Sequence, residues 1–254
     1  MDNKNLEKFS PALLALTEDK PFHSSLQISS SADIDVFYSP FDFINSKAKI
    51  VIVGISPGAT QAANANRIFR QACLDGYSIN EASQKAKSAA SFSGPLRNNL
   101  VKMLDSIGLN KKLGISTCGS LFESDNHLLH CTSVFRYPTL HNGKPISSAK
   151  KAFTSDILKS MTDTLLIDEC RALDSECIFI PLGQGVYEVI SNLAEKNAID
   201  KNKVLSGIPH PSGANAERIA YFLGNKKRTD LSVKTNPDKL DLSRRQLLKQ
   251  IALI

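Results

Sequence analysis

The sequence lacks any apolar run long enough to cross a membrane. Its longest apolar stretches, such as residues 11–16 and 51–53, fall far short of the roughly 20 residues that a membrane-spanning helix needs. The first residues carry mixed charge without an apolar run, so no secretory signal is predicted. Glycine and proline, with 13 and 11 residues, are too scarce for a low-complexity or fibrous chain. We therefore expect a packed cytoplasmic protein that does not bind a membrane.

The cysteines also lack the pattern of a cross-linked or metal-binding protein. There are five of them, at Cys73, Cys118, Cys131, Cys170 and Cys177, and no two form a C-x-x-C pair. An odd number at these spacings argues against a disulfide framework and against an ordinary zinc or iron–sulfur site. We expect buried thiols, with no metal and no other cofactor.

Positive charge is concentrated near the end of the chain. The 254 residues, 42% hydrophobic and 22% charged, carry a formal net charge of +6. Residues 225–254 contain eight lysines or arginines and only three aspartates. A basic tail suggests a polyanionic partner, although a solvated basic helix face explains the charge equally well. Apolar residues at Leu247, Leu248 and Ile251 predict that a terminal helix, beginning near Asp241, docks on the domain.

Strands and helices are predicted to alternate through the middle of the chain. The β-branched run Lys49 to Gly54 predicts a strand, and Thr60 to Asp75 predicts the following helix. A proline opens the helical pattern of Pro95 to Ile107, whose apolar residues recur at helical spacing. Further strands are predicted at 128–135, 177–182 and 204–208, and further helices at 148–172, 185–196 and 215–223.

This alternation is typical of a parallel sheet that helices cover on both faces. We predict an α/β fold, a single-domain α/β/α sandwich around a mainly parallel four-stranded sheet. The predicted domain spans residues 46–224, after a helical lead over residues 1–45 and before the basic tail of residues 225–254.

Two loops stand where such a sheet binds its ligand, beyond the carboxyl ends of the strands. The loop from Gly54 to Gln61 lacks the spacing of nucleotide-binding glycine loops, which makes nucleoside triphosphates and NAD poor candidates. A tight structural turn also explains it. In the loop from Pro209 to Asn215, two prolines enclose His210 and small residues follow. A lone histidine is usually structural, but this position favours a functional role.

Taken together, these loops resemble the two motifs of the uracil-DNA glycosylase superfamily. The matching segments are Gly54-Ile55-Ser56-Pro57-Gly58 and His210-Pro211-Ser212-Gly213-Ala214-Asn215, and between them residues 92–100, 129–133 and 180–183 match in order. The resemblance covers residues 49–223. It implies that DNA is the partner, and that the bond between a pyrimidine and deoxyribose is hydrolysed after the nucleotide flips out of the duplex.

The resemblance also implies roles for single residues. His210 would stabilise the negative charge of the departing base, and Phe92, with Phe69 as the alternative, would stack on that base. The implied site consists of the catalytic residues His210 and Ser56, the base-pocket residues Ile55, Pro57, Gly58, Phe92, Cys131 and Thr132, and the DNA-binding residues Ser212, Gly213, Ala214, Asn215 and Arg218.

The sequence departs from the family pattern at three places. Ser56 replaces the carboxylate or amide that positions the attacking water in several branches, and Asp75 is a candidate substitute. Cys131 or Thr132 stands where an asparagine reads uracil in many members, and neither can form the same paired hydrogen bonds. Ala214 replaces a bulky wedge that enters the DNA stack, so that Arg218 or another residue would have to fill the gap.

These substitutions suggest that the base removed from DNA is not uracil. We expect a monofunctional DNA glycosylase that accepts a bulky cytosine derivative of the kind found in some viral DNA, and that serves defence. A uracil-excising repair enzyme is the alternative, as is a non-catalytic DNA-binding protein with the same fold. A small-molecule hydrolase using the same sheet edge is a further alternative. The iron–sulfur cluster of the branch that the chain partly resembles is not expected, because its cysteine spacing is absent.

Overall fold

A computed structural model describes residues 4–18 and 20–253. The helices of this part of the chain are α1 (Lys4–Ala15), α2 (Ala59–Leu74), α3 (Ile79–Ala90), α4 (Pro95–Ser106), α5 (Leu109–Leu113), α6 (Asp156–Met161), α7 (Ile167–Arg171), α8 (Gln184–Glu195), α9 (Ala216–Phe222) and α10 (Pro237–Leu253). The strands are β1 (Gln27–Ser30), β2 (Ile34–Phe37), β3 (Ile50–Gly54), β4 (Leu129–Ser133), β5 (Thr139–His141), β6 (Lys144–Pro145) and β7 (Ile178–Pro181).

A parallel sheet lies behind both predicted loops. Its order is β4-β3-β7, and β3 pairs in parallel with β7 from Ile50–Ile178 to Val53–Pro181. Every residue of β3 and β7 is buried, as expected of strands covered on both faces. The predicted α/β class is confirmed, and β3, β4 and β7 fall where the β-branched runs predict strands.

The fourth strand of the predicted sheet is reduced to a single bridge. Val204 pairs in parallel with Phe179, and the amide of Leu205 donates to the carbonyl of Phe179 over 2.8 Å. Pairing ends there because Gly207, at φ +104°, turns the chain away, and Pro209 has no amide hydrogen to donate. The segment after Val204 is therefore a loop that carries His210.

A second, antiparallel sheet was not predicted. Its order is β1-β2-β5-β6, with β2 paired to β5 through Ile34–His141, Asp35–Leu140 and Val36–Thr139. Among its strands only β2 has a signal in the sequence, the weak strand pattern near Ile34 to Tyr38. The other strands have two to four residues, too few for an alternating pattern to be recognised.

The chain forms two compact units. Unit 1 comprises the described residues of Met1–Ser46, Gly54–Ser91 and Cys131–Leu173, and unit 2 comprises those of Lys47–Val53, Phe92–His130 and Asp174–Ile254. Helix α1 belongs to unit 1, where Phe9 stacks on Tyr38 with 4.9 Å between ring centroids. The predicted domain limits at residues 45 and 224 stay predictions.

The predicted helix over residues 148–172 is present as several pieces. A 3₁₀ turn over residues 149–153 precedes α6, and a π-helical turn, Thr162–Leu166, separates α6 from α7. Thr162 and Thr164 donate their hydroxyls to carbonyls four residues earlier, which loosens a helix locally. The widened turn lets Arg136 donate to the Leu165 carbonyl over 2.8 Å.

The terminal helix docks as predicted, although it begins at Pro237 rather than at Asp241. Leu247 and Ile251 are buried, and the Gln250 side chain donates to the carbonyl of Val204 over 3.2 Å. A Cβ on Gly207 would come within 2.6 Å of the Ser243 Cβ, so glycine permits this close contact. No helix within residues 4–18 and 20–253 is both long and apolar enough to span a membrane.

Candidate active site

The first loop continues the hydrogen bonding of the sheet beyond β3. The amides of Val134 and Phe135 donate to the carbonyls of Gly54 and Ile55, each over 2.9 Å. Ile55 and Gly58 are half-buried, and Pro57 is buried. The backbone of this loop is therefore fixed by the chain that follows β4.

The side chain of Ser56 also binds this loop to the chain that follows β4. Its hydroxyl donates to the Tyr137 carbonyl over 3.1 Å and accepts from the Thr139 amide over 3.1 Å. Because a serine hydroxyl has one proton and two lone pairs, the proton is committed and one lone pair remains. Ser56 can accept a hydrogen bond from a water, but its evident contribution is to hold the loop in place.

Asp75 is not placed to replace the missing carboxylate. It follows the last residue of α2, whereas Ser56 precedes the first residue of that helix. Sixteen residues of α-helix at a rise of 1.5 Å per residue separate them by about 24 Å. Asp75 is exposed and accepts a hydrogen bond from Gln71 over 2.8 Å. The suggestion that it acts on a water held at Ser56 is therefore wrong.

Gly58 is the N-cap residue of α2, and neither its backbone angles nor its neighbours require glycine there. Its φ of −77° is open to any residue, and a Cβ there would meet no atom within 4 Å. The same space lies around Gly213 of the second loop. In each loop a glycine therefore leaves room that the protein itself does not fill.

A buried ionic cluster in unit 1 was missed by sequence reasoning. Glu169, which has no exposed surface, accepts from Lys87 over 3.0 Å and from two nitrogens of Arg136 over 2.8 and 3.0 Å. Burial lowers the pKa of Lys87, and the carboxylate of Glu169 opposes that effect. Lys87 lies on α3, a helix that the sequence analysis also missed.

A buried carboxyl, Asp42, belongs to the same unit. It accepts hydrogen bonds from the hydroxyls of Tyr38, over 2.8 Å, and of Tyr137. Burial raises the pKa of Asp42, although both tyrosines act in the opposite direction. Since both its oxygens are occupied by phenols, Asp42 anchors the segment around Tyr137, to which Ser56 is bound.

The predicted base-reading residues lie on β4. Cys131 is half-buried, and Thr132 is 6% exposed. The Thr132 hydroxyl oxygen is buried and has no hydrogen-bond partner within the described ranges. A buried hydroxyl without a partner costs roughly 1–3 kcal/mol, so its presence calls for an explanation.

The second loop fixes the proton of His210 on one nitrogen. The Ser212 amide donates to Nδ1 of His210 over 3.3 Å, so Nδ1 carries a lone pair and the neutral ring carries its proton on Nε2. Burial lowers the pKa of His210, which keeps the ring neutral at pH 7. His210 is thus prepared to donate a hydrogen bond from Nε2.

Two further residues of unit 2 position this loop. Asn99 of α4 donates to the carbonyl of Pro211 over 3.0 Å. Gly183, which precedes α8, lies against His210, because a Cβ there would make an ordinary contact of 3.5 Å with the His210 Cβ; its φ of +90° is the reason for glycine. Sequence analysis included both residues in matching segments but assigned neither a role.

Three of the predicted DNA-binding residues form a chain of hydrogen bonds that runs from this loop into α9. Asn215 donates to the Ser212 hydroxyl over 3.3 Å, and Arg218 donates to Asn215 over 2.7 Å. The other terminal nitrogen of Arg218 donates to the Lys234 carbonyl over 3.2 Å. Gly213 and Ala214 are exposed between them. The loop is therefore linked directly to the basic tail.

A cavity of about 410 Å³ adjoins this loop within unit 2. Its lining includes His210 and Asn215 from the loop, Arg218 from α9, and Lys234 and Lys239 from the tail. None of these three cations is paired with a carboxylate among residues 4–18 and 20–253. The volume is in the range of small-molecule sites, and the charge favours an anion.

The two phenylalanines considered for base stacking differ. Phe69 is fully buried in α2 and belongs to the core. Phe92 is 7% exposed and has φ +51°, a left-handed conformation that costs a residue with a Cβ roughly 1–2 kcal/mol. Such strain is common at functional sites, so Phe92 stays the predicted stacking residue.

Metal-binding clusters are absent from the described part of the chain, in which no three His, Cys, Asp or Glu side chains could hold an ion together. The cysteines form no disulfide; Cys118, Cys170 and Cys177 are buried, and Cys73 and Cys131 are half-buried. Burial raises the pKa of the Cys177 thiol to about 11. A thiol of this kind stays protonated at pH 7.

Comparison with known proteins agrees with these motifs. Residues 41–238 match the family model of the uracil DNA glycosylase superfamily. The uncharacterized protein YoxB of Bacillus subtilis (strain 168) is 32% identical over 223 residues, which cover 87% of each chain. No solved structure gives a significant match. The chain belongs to the uracil-DNA glycosylase superfamily.

Proposed function

We propose that this protein is a monofunctional DNA glycosylase, which hydrolyses the bond between a flipped-out pyrimidine and its deoxyribose with water. The observation that carries the proposal is the state of His210. A neutral ring, held by the Ser212 amide at Nδ1, presents Nε2–H as a donor to a departing base. Negative charge develops on that base as the bond breaks, and a preorganised donor stabilises it.

The water is activated weakly by the protein in this proposal. Ser56 has committed its proton to the Tyr137 carbonyl, so it can only accept a hydrogen bond from the attacking water. Stabilisation of the leaving base by His210 therefore accounts for most of the rate. The same observation favours a second candidate, a non-catalytic protein that binds an extrahelical base.

The proposed substrate is a modified pyrimidine, with a bulky cytosine derivative favoured over uracil. The unpaired hydroxyl of Thr132 on β4 supports this choice, because a bound base could supply its missing partner. Cys131 and Thr132 are small, and the space beside Gly58 is open, so a larger base could be admitted. We further propose that the enzyme acts in the cytoplasm and defends against viral DNA that carries such bases.

The proposal is tested by base release from a panel of DNAs, measured by mass spectrometry. The panel contains uracil oligonucleotides and DNAs with hydroxymethylated or glycosylated cytosine. We expect release of a modified cytosine and slower release of uracil. If uracil alone is released, at full rate, the proposed substrate is wrong and the protein is a uracil-excising repair glycosylase. Intact DNA throughout, with binding retained, would favour the non-catalytic protein.

Gly58→Ala is expected to lower base release about tenfold or more, because the added methyl enters space that a ligand would need, and to cost at most about 1 kcal/mol of stability, because alanine is a poorer N-cap residue than glycine. The urea midpoint and the rate on the best base of the panel are the measurements. Gly119→Ala is the matched control, since its Cβ would also make only ordinary contacts, the nearest at 3.5 Å. Unchanged base release by Gly58→Ala would show that the base does not approach this loop.

A further inference from the structure

A tight turn in the basic tail presents a fully exposed apolar side chain. The Thr235 amide donates to the Ser232 carbonyl over 3.0 Å, which places Val233 and Lys234 at the tip of the turn. Val233 is fully exposed, whereas Thr235 beside it is buried. The turn therefore holds a valine out in solvent, where the side chain contributes nothing to packing.

A single carboxylate of α9 holds this turn in position. Glu217 accepts from the amide of Ser232 over 3.1 Å and from its hydroxyl over 2.6 Å, and also from the hydroxyl of Thr235 over 2.5 Å. Lys226 donates to the same carboxylate over 2.8 Å. These donors hold the pKa of Glu217 well below its usual range. An exposed apolar residue is unremarkable on a mobile loop, but this one is fixed.

The turn is also tied to the loop of His210. Arg218 joins them, since it donates to Asn215 of that loop and to the carbonyl of Lys234. Lys234 then lines the cavity that His210 also lines, together with the unpaired cation Lys239. Val233 therefore directly precedes a cationic residue of the cavity that His210 also lines, where DNA phosphates would be held.

We propose that Val233 is the wedge that enters the base stack of duplex DNA when a nucleotide is flipped out. The proposal rests on the proposed function. A flipped nucleotide leaves a gap in the stack, and an apolar side chain that fills it offsets part of the unstacking cost. Ala214 is too small for this purpose, and Arg218 is engaged with Asn215 and Lys234. The tail thus supplies what the loop of His210 lacks.

The test measures affinity for a short duplex with a stable abasic analogue and for the same duplex without it. A protein with a wedge should prefer the abasic duplex. We expect Val233→Ser to reduce that preference about tenfold, with affinity for the intact duplex unchanged. Val233→Leu should keep or increase the preference. Leu74→Ser removes another highly exposed apolar residue and is expected to change neither affinity.

Base release provides a second measurement. Val233→Ser should lower release from a uracil or hydroxymethylcytosine duplex about tenfold, but should not affect release from the same single strand, where no stack has to be opened. The proposal is wrong if Val233→Ser lowers base release equally from the duplex and from the single strand. It is also wrong if Val233→Ser still prefers the abasic duplex as strongly as the wild type does. If the wild type releases no base from either form, the proposed activity fails, and the abasic preference alone decides whether Val233 is a wedge.

Discussion

Replacing His210 with alanine should reduce base release by about 10²–10³-fold, the usual cost of removing one donor that stabilises a developing negative charge. DNA affinity should change little, because the cationic residues beside the cavity remain. Single-turnover base release and a binding titration measure the two effects separately.

Controls separate the proposed chemistry from a loss of folding. His210→Gln should recover part of the rate, since its side-chain amide can also donate where Nε2–H donates. His141→Ala removes a half-buried surface histidine that pairs with Asp33, and it should leave base release unchanged. Equal loss of binding and base release in His210→Ala would assign the ring a structural role.

The pH profile of the wild type follows from the same geometry. Burial lowers the pKa of His210, so the neutral form should persist below the ordinary histidine value of 6.5. As the pH falls through this lowered pKa, Nδ1 gains a proton and can no longer accept from Ser212. The acid limb of kcat/KM should therefore lie below pH 6.5.

The largest effect on stability is expected from Glu169→Gln. Without this carboxylate, Lys87 and Arg136 lose the buried counter-charge that both of them contact, and breaking a buried ion pair in this way costs about 3–5 kcal/mol. Urea denaturation measures the free energy of unfolding.

The matched control for this change is Glu176→Gln, which disrupts an exposed pair with Lys203 and should have little effect. Adding Lys87→Met to Glu169→Gln should recover part of the loss, because one uncompensated charge is then removed. Similar small effects of Glu169→Gln and Glu176→Gln would show that the buried cluster does not stabilise unit 1.

The parallel sheet could be predicted because its strands are continuous apolar runs between helical patterns. Residues 50–54 and 178–181 are apolar throughout, and α2, α4 and α8 carry apolar stripes. Helix α3 was missed because its buried residues are mostly small, such as Ala82, Ser83 and Ala86. One signal was available, since Ser78 and Glu81 form a capping box.

The candidate site could be predicted as two loops, but not as a set of contacts. Sequence order placed His210 after the short segment at Val204, and the structure adds the amide of Ser212 that fixes its proton. The hydrogen bonds of Ser56 join residues more than 80 positions apart, and no local pattern reveals such a pairing. The proposed role of Val233 likewise depends on a contact between separate segments, because Glu217 holds its turn through Ser232.

Neither compact unit is continuous along the chain, and this affects how the protein is made. Strand β3 pairs with β7, so the central strand of the sheet leaves the ribosome long before that neighbour exists. The loop of His210 comes later still, and α10, which packs on Gly207 through Ser243, is synthesised after that loop. Complete folding of unit 2 therefore waits until these later segments have been synthesised, which exposes β3 to mispairing and gives chaperones a period in which to act.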